Sequence, residues 1–145
     1  MSYELPGYTL KEVIFTNART KIQRAIRNED HRPVIIKSFT TSFPSSRQRQ
    51  SFLLSYDLLE TFQHPNIVKA LDYLEQDGLP VIVLEDMQSI DLRKYVQQFG
   101  KKQLPIETLL NIAIQLADAL SVVHQAEVIH KDLHPGNLLI NVNTG

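Results

Sequence analysis

The chain changes its hydrophobic period once, and that switch limits the fold more than any other feature. Up to Glu85 the apolar residues come in short β-compatible runs: Tyr8 to Phe15, Thr20 to Arg27, Pro33 to Phe39, Val68 to Glu75 and Leu79 to Glu85. Asn28-Glu29-Asp30 separates the second run from the third. Gln76-Asp77-Gly78 joins the last two, and Asp-Gly supplies the positive φ that a tight hairpin turn needs. After the third strand, Ser45-Ser46 caps a helix predicted to reach about Phe62. His64-Pro65 stops it, because the residue before proline is pushed out of helical geometry.

Beyond Asp91 the spacing turns helical. Asp91 to Phe99 forms a short amphipathic piece closed by Gly100, and Pro105 to about His124 forms a long helix with Pro105 and Glu107 in its first turn. Glu107, Thr108, Asn111, Gln115, Asp118 and Ser121 of that helix fall in one stripe roughly 140° wide, and the rest of its girth is apolar. A helix apolar over more than half its circumference expects cover from several sides. The residues after it are too few to supply that cover. The pattern predicts an α+β chain: residues 1–87 as a five-stranded antiparallel sheet with one inserted helix, and residues 88–145 as part of a helical lobe.

Composition narrows the chemistry. Fifteen Lys and Arg against sixteen Asp and Glu give a net charge of -1, so no bulk field favours nucleic acid. The absence of cysteine removes disulfides, thiolate metal sites and thiol nucleophiles. Met1 to Gly7 lacks the basic and apolar regions of a secretory signal, and the uninterrupted apolar runs fall short of a membrane span. The expectation is a cytoplasmic chain with no membrane or nucleic-acid partner.

The segment that carries chemistry is Val128-Ile129-His130-Lys131-Asp132-Leu133-His134-Pro135-Gly136-Asn137-Leu138-Leu139-Ile140. By itself it could be a polar loop with Asp132 and Asn137 as turn formers. Its length and order, however, resemble the H-R-D-L-x-x-x-N catalytic loop of the protein kinase superfamily. The resemblance implies that Asp132 orients the hydroxyl that receives a phosphoryl group and that Asn137 holds a magnesium ion on the phosphates of ATP. Pro33-Val34-Ile35-Ile36-Lys37 is similar to the strand whose Lys pairs with the α- and β-phosphates, which implies that role for Lys37. His64-Pro65-Asn66-Ile67-Val68 resembles the family's link into the fourth strand.

By the same resemblance, Ile22 and Ala25 cover the adenine, Leu84 stands beside it, and the Glu85 carbonyl and Met87 amide bond its edge. Asp91 either contacts the ribose or caps the next helix. The implied ligands are ATP and Mg2+, and the implied partners are a nucleotide and a protein substrate or further signalling modules. Pro6-Gly7-Tyr8, Asn17-Ala18-Arg19-Thr20 and Ala113 to Leu120 look like the serine/threonine kinase domain that opens bacterial multi-domain sensor kinases.

Several positions depart from the family pattern. Phe15, Asn17 and Thr20 stand where the three phosphate-loop glycines belong, and Ser55 stands where the Lys-pairing Glu belongs. Lys131 replaces the usual Arg, and His134 replaces the usual Lys. No D-F-G follows before Gly145. The expectation is a serine/threonine protein kinase domain truncated before that motif and inactive alone. The alternative is a kinase-like remnant that serves as a binding or regulatory module. A small-molecule phosphotransferase sharing H-x-D-L-H-P-G-N stands third, because Lys131 and His64 to Val68 argue against it. The kinase reading expects Lys37, Asp132 and Asn137 to serve one nucleotide.

Overall fold

The computed structural model describes residues 4–99 and 103–144. The closure of the short helix by Gly100 falls outside them. By contacts the chain divides into two compact units, one of residues 4–63 and 68–86, the other of residues 64–67 and 87–144.

The first unit is a five-stranded antiparallel sheet of β1 (Tyr8–Thr16), β2 (Thr20–Arg27), β3 (Arg32–Phe39), β4 (Ala70–Gln76) and β5 (Leu79–Glu85), in the order β1-β2-β3-β5-β4. Asp77 and Gly78 have φ of 53° and 72°, the left-handed pair the β4–β5 turn requires. The fourth strand begins at Ala70, two residues later than the apolar pattern suggests. The core cluster contains Ala25, Val34, Ile36, Val81 and Val83, with Leu5 added from outside the sheet. Ala25 pairs with Val34, and Ile36 with Val83, so these side chains share one face. The opposite face, which carries Lys37 and Ile82, receives the helix α1 (Ser46–Thr61). Phe52 of α1 stacks on Phe39 of β3 with ring centroids 4.7 Å apart, and Tyr56 meets Tyr73 of β4 at 5.5 Å. Ser45 and Gln48 close a reciprocal capping box: Ser45 Oγ accepts from the Gln48 amide at 3.2 Å, and Gln48 Oε1 accepts from the Ser45 amide at 2.7 Å.

The second unit holds two helices, α2 (Leu92–Gln97) and α3 (Ile106–Gln125), and a two-stranded ladder of β6 (Ile90–Asp91) and β7 (Leu139–Ile140). The apolar pattern does not show β6, because two residues are too few to display a period. In α3 only Ala119 is buried, while Ile106, Leu109, Leu110 and Ile114 are exposed. The uncovered helix expected from the sequence is therefore present. By length and composition α3 is also long and apolar enough to cross a membrane, which a search for unbroken apolar runs passes over because Asn111, Gln115 and Asp118 interrupt them. Its polar stripe carries hydrogen bonds to the His64–Ile67 segment. His64 Nε2 lies 3.1 Å from Asp118 Oδ2, and Asn66 Nδ2 donates to the Gln115 carbonyl at 3.4 Å. His64 Nδ1 accepts from the Asn66 amide at 3.1 Å, which leaves Nε2 as the donor toward Asp118. These bonds attach the His64–Ile67 segment to the second unit.

Candidate active site

The Pro135–Asn137 segment forms a single 3-10 turn, and its bonds arrange the loop before it. Asn137 Nδ2 donates to the Asp132 carbonyl at 2.9 Å and to Asp132 Oδ2 at 3.1 Å. With its amide nitrogen so engaged, Asn137 keeps its carboxamide oxygen as a free-standing acceptor, the atom a hard cation prefers. His130 Nδ1 accepts from the Asp132 amide at 3.3 Å. His134 Nδ1 accepts from the Gly136 amide at 3.1 Å, and its Nε2 lies 3.7 Å from Asp132 Oδ1. The Asp132 carboxylate is 76% exposed, so it can meet a substrate.

Backbone geometry shapes the same loop. Lys131 takes φ of 64°, a conformation L-residues adopt rarely and one that turns the chain so that His130 can reach the Asp132 amide. At Gly136 an added Cβ would lie 2.9 Å from His134 Cε1 and 3.3 Å from Arg93 Nη2, so only glycine leaves the imidazole in place. Arg93 and Gly136 are contributions the motif comparison missed. The signal available was the Pro-Gly pair inside the loop.

In the first unit, Lys37 pairs with Ile22 across β2 and with Ile82 across β5. Among the described residues it forms no ion pair. Its ammonium sits 5.4 Å from the centroid of the Phe52 ring, a cation-π contact in place of a carboxylate. Ser55, at the expected Glu position, turns its hydroxyl back onto the Phe52 carbonyl at 2.7 Å. Burial pushes the Lys37 ammonium below its ordinary pKa. Among the described residues no side chain supplies the anion that would restore it.

Register sorts the residues expected around the adenine. Ile22, Ile35 and Leu84 lie on the Lys37 face, half-buried, with Ile35 opposite Leu84. Ala25 does not join them. It stands three residues from Ile22 on one strand, so it points to the other face and belongs to the core. Ile35 takes the place on the open face, and alternation counted back from Lys37 would have found it. Phe15 pairs with Ile22 after a bulge and is 49% exposed. Glu85 uses its carboxylate to accept the Lys69 amide at 2.8 Å.

Around the start of α2, Asp91 acts as the cap, with Oδ1 accepting from the Lys94 amide at 2.9 Å. Of the two roles expected for it, this is the one its hydrogen bond serves. The Met87 carbonyl accepts from Asn141 Nδ2 at 3.0 Å, a tether not visible from the motifs.

Comparison with known families decides the assignment. The family described as "Protein tyrosine and serine/threonine kinase" matches residues 8–144. The chain is a member of the protein kinase family. It is 31% identical over 144 residues to the bovine (Bos taurus) "Inhibitor of nuclear factor kappa-B kinase subunit beta", covering 92% of this chain and 18% of that protein. It is 29% identical over 136 residues to "Serine/threonine-protein kinase ATG1c" of Arabidopsis thaliana, covering 94% of this chain and 18% of the relative. The chain thus spans about a fifth of the length of these kinases. Among solved structures, the apo form of PpkA-294 superposes with a TM-score of 0.84 at 19% identity, over 97% of this chain and 57% of that one. The Mycobacterium tuberculosis PknI kinase domain gives 0.79 at 21% identity, over 98% and 58%. At such identities these two structures speak for the kinase fold alone.

Proposed function

We propose that the chain carries out the nucleotide-holding and hydroxyl-orienting parts of serine/threonine protein kinase chemistry, the transfer of the γ-phosphoryl group of ATP to a protein hydroxyl. The observation that carries the proposal is the pair of hydrogen bonds that Asn137 Nδ2 donates to the carbonyl and carboxylate of Asp132, which fixes a carboxylate and leaves a carboxamide oxygen beside it. Asp132 is the residue that accepts or orients the hydroxyl proton, and Lys37 is the cation for the phosphates. The Asn137 oxygen suits Mg2+, a hard ion that takes six oxygens and draws several from phosphate and water. The nucleotide's base is proposed to lie on Ile22, Ile35 and Leu84, with Glu85 and Met87 offering backbone groups to its edge. The partners proposed are a nucleotide and a protein substrate, in the cytoplasm.

A second reading is favoured by one observation. Lys37 rests on Phe52 without a carboxylate, so the chain could serve as a kinase-like module that binds a partner and transfers nothing. Titration of the purified chain with MgATP, followed by thermal shift, separates the two. The kinase reading expects saturable stabilisation that Lys37→Met reduces, and a flat response sinks it. In an assay with radiolabelled ATP and a generic protein, the proposal expects any phosphate transfer to be abolished by Asp132→Ala, and transfer that survives this substitution contradicts it.

A further inference from the structure

The β1–β2 loop is closed by one of its own side chains. Asn17 Oδ1 accepts the amide of Arg19 at 2.8 Å and the amide of Thr20 at 2.8 Å. The Asn17 amide in turn donates to the Thr20 carbonyl at 3.0 Å. Two successive backbone N–H groups converging on one oxygen are the arrangement by which a loop cradles an anion. In this loop the oxygen in the cradle is a carboxamide oxygen of the chain itself.

We propose that Asn17 occupies the anion seat of the β1–β2 loop, so that the loop grips no phosphate and Asn17 sets how much the phosphates add to nucleotide binding. The proposal rests on the nucleotide reading above and deepens it. Glycine at this position would leave the Arg19 and Thr20 amides without an internal acceptor. An arriving phosphate must instead displace the carboxamide before it can bond them. Charged acceptors bind amides about twice as strongly as neutral ones, so the exchange favours phosphate, but the released carboxamide and the reopened turn offset that gain. Phe15 is exposed on the strand that enters the loop.

The test compares adenosine, ADP and ATP, each with magnesium, by calorimetry on the wild-type chain, Asn17→Ala and Asn17→Asp. In the wild type, ATP is expected to bind no more than about threefold tighter than adenosine. Asn17→Ala is expected to strengthen ATP binding about tenfold while adenosine stays unchanged, because both amides are released to a charged acceptor. Asn17→Asp keeps an acceptor in the seat, adds a negative charge, and is expected to weaken ATP about tenfold, again without effect on adenosine. Should Asn17→Ala melt early, Asn17→Asp decides by itself, since its turn stays closed. Amide exchange without nucleotide provides a second readout, with Arg19 and Thr20 exchanging faster in Asn17→Ala. An unchanged ratio of ATP to adenosine affinity in both variants overturns the proposal and leaves nucleotide binding standing. Absence of adenosine and ATP binding in all three proteins overturns the nucleotide reading and this proposal with it.

Discussion

The two units divide stability and chemistry in opposite ways. The first buries Val34, Ile36, Val81, Ile82 and Val83 almost completely, yet Asn17 bonds the amides of its own loop and an aromatic ring, not a carboxylate, stands beside Lys37. Among the described residues the second buries little beyond Ala119 and Ile140, yet its loop from His130 to Asn137 is wired by hydrogen bonds. Apolar packing is non-directional and holds a sheet whatever the loops above it contain. Hydrogen bonds are directional, so a loop can keep its geometry on a sparsely packed support.

The largest effect expected from this contrast concerns packing. Ile82→Ala should destabilise the chain by about 2–5 kcal/mol, because the cavity opens on the sheet face that α1 covers, whereas Ile114→Ala on exposed α3 should stay within about 0.5 kcal/mol. Urea unfolding of both variants checks this, and similar midpoints would show that α3 is covered in solution. Next comes the wiring of the loop. Gly136→Ala brings a Cβ against His134, so the imidazole must turn away and release the Gly136 amide, and this should cost about 1 kcal/mol, with faster amide exchange at Asn137. Wild-type exchange in that variant would mean that His134 is not held as described.

The smallest effect sharpens the altered half. The folded pKa of Lys37 lies below its ordinary value of 10.5. Between the folded value and 10.5 the unfolded chain keeps a proton that the folded chain has released, so stability rises with pH across that window and is lowest below it. Lys37→Met should remove this slope and raise the melting temperature at neutral pH by about 2–4 °C. A variant that melts lower at neutral pH and retains the slope would show that another group carries the charge cost.

Much of the fold was legible because its signals are local. Asp77-Gly78, the Ser45 cap, the proline after His64 and the short β-compatible runs of β2, β3 and β5 each act within a few residues. The loop from His130 to Asn137 was legible for the same reason, since its bonds span at most five residues. What escaped was nonlocal or depended on direction. The face of Ala25 follows from strand parity, and the motif comparison overrode it. The bonds of Asn141 to Met87 and of His64 to Asp118 each join residues 54 apart, where no spacing rule reaches.

The sequence alone determined the longer elements, their order and the loop that carries Asp132 and Asn137, because turn chemistry, capping and hydrophobic period are properties of short stretches. Only the tertiary structure decided that Phe52 takes the missing carboxylate's place beside Lys37, and that the Asn17 carboxamide occupies the amides of its own loop. The aromatic contact depends on how a helix seats against a sheet, the carboxamide on the direction of a rotatable side chain, and no residue identity states either one.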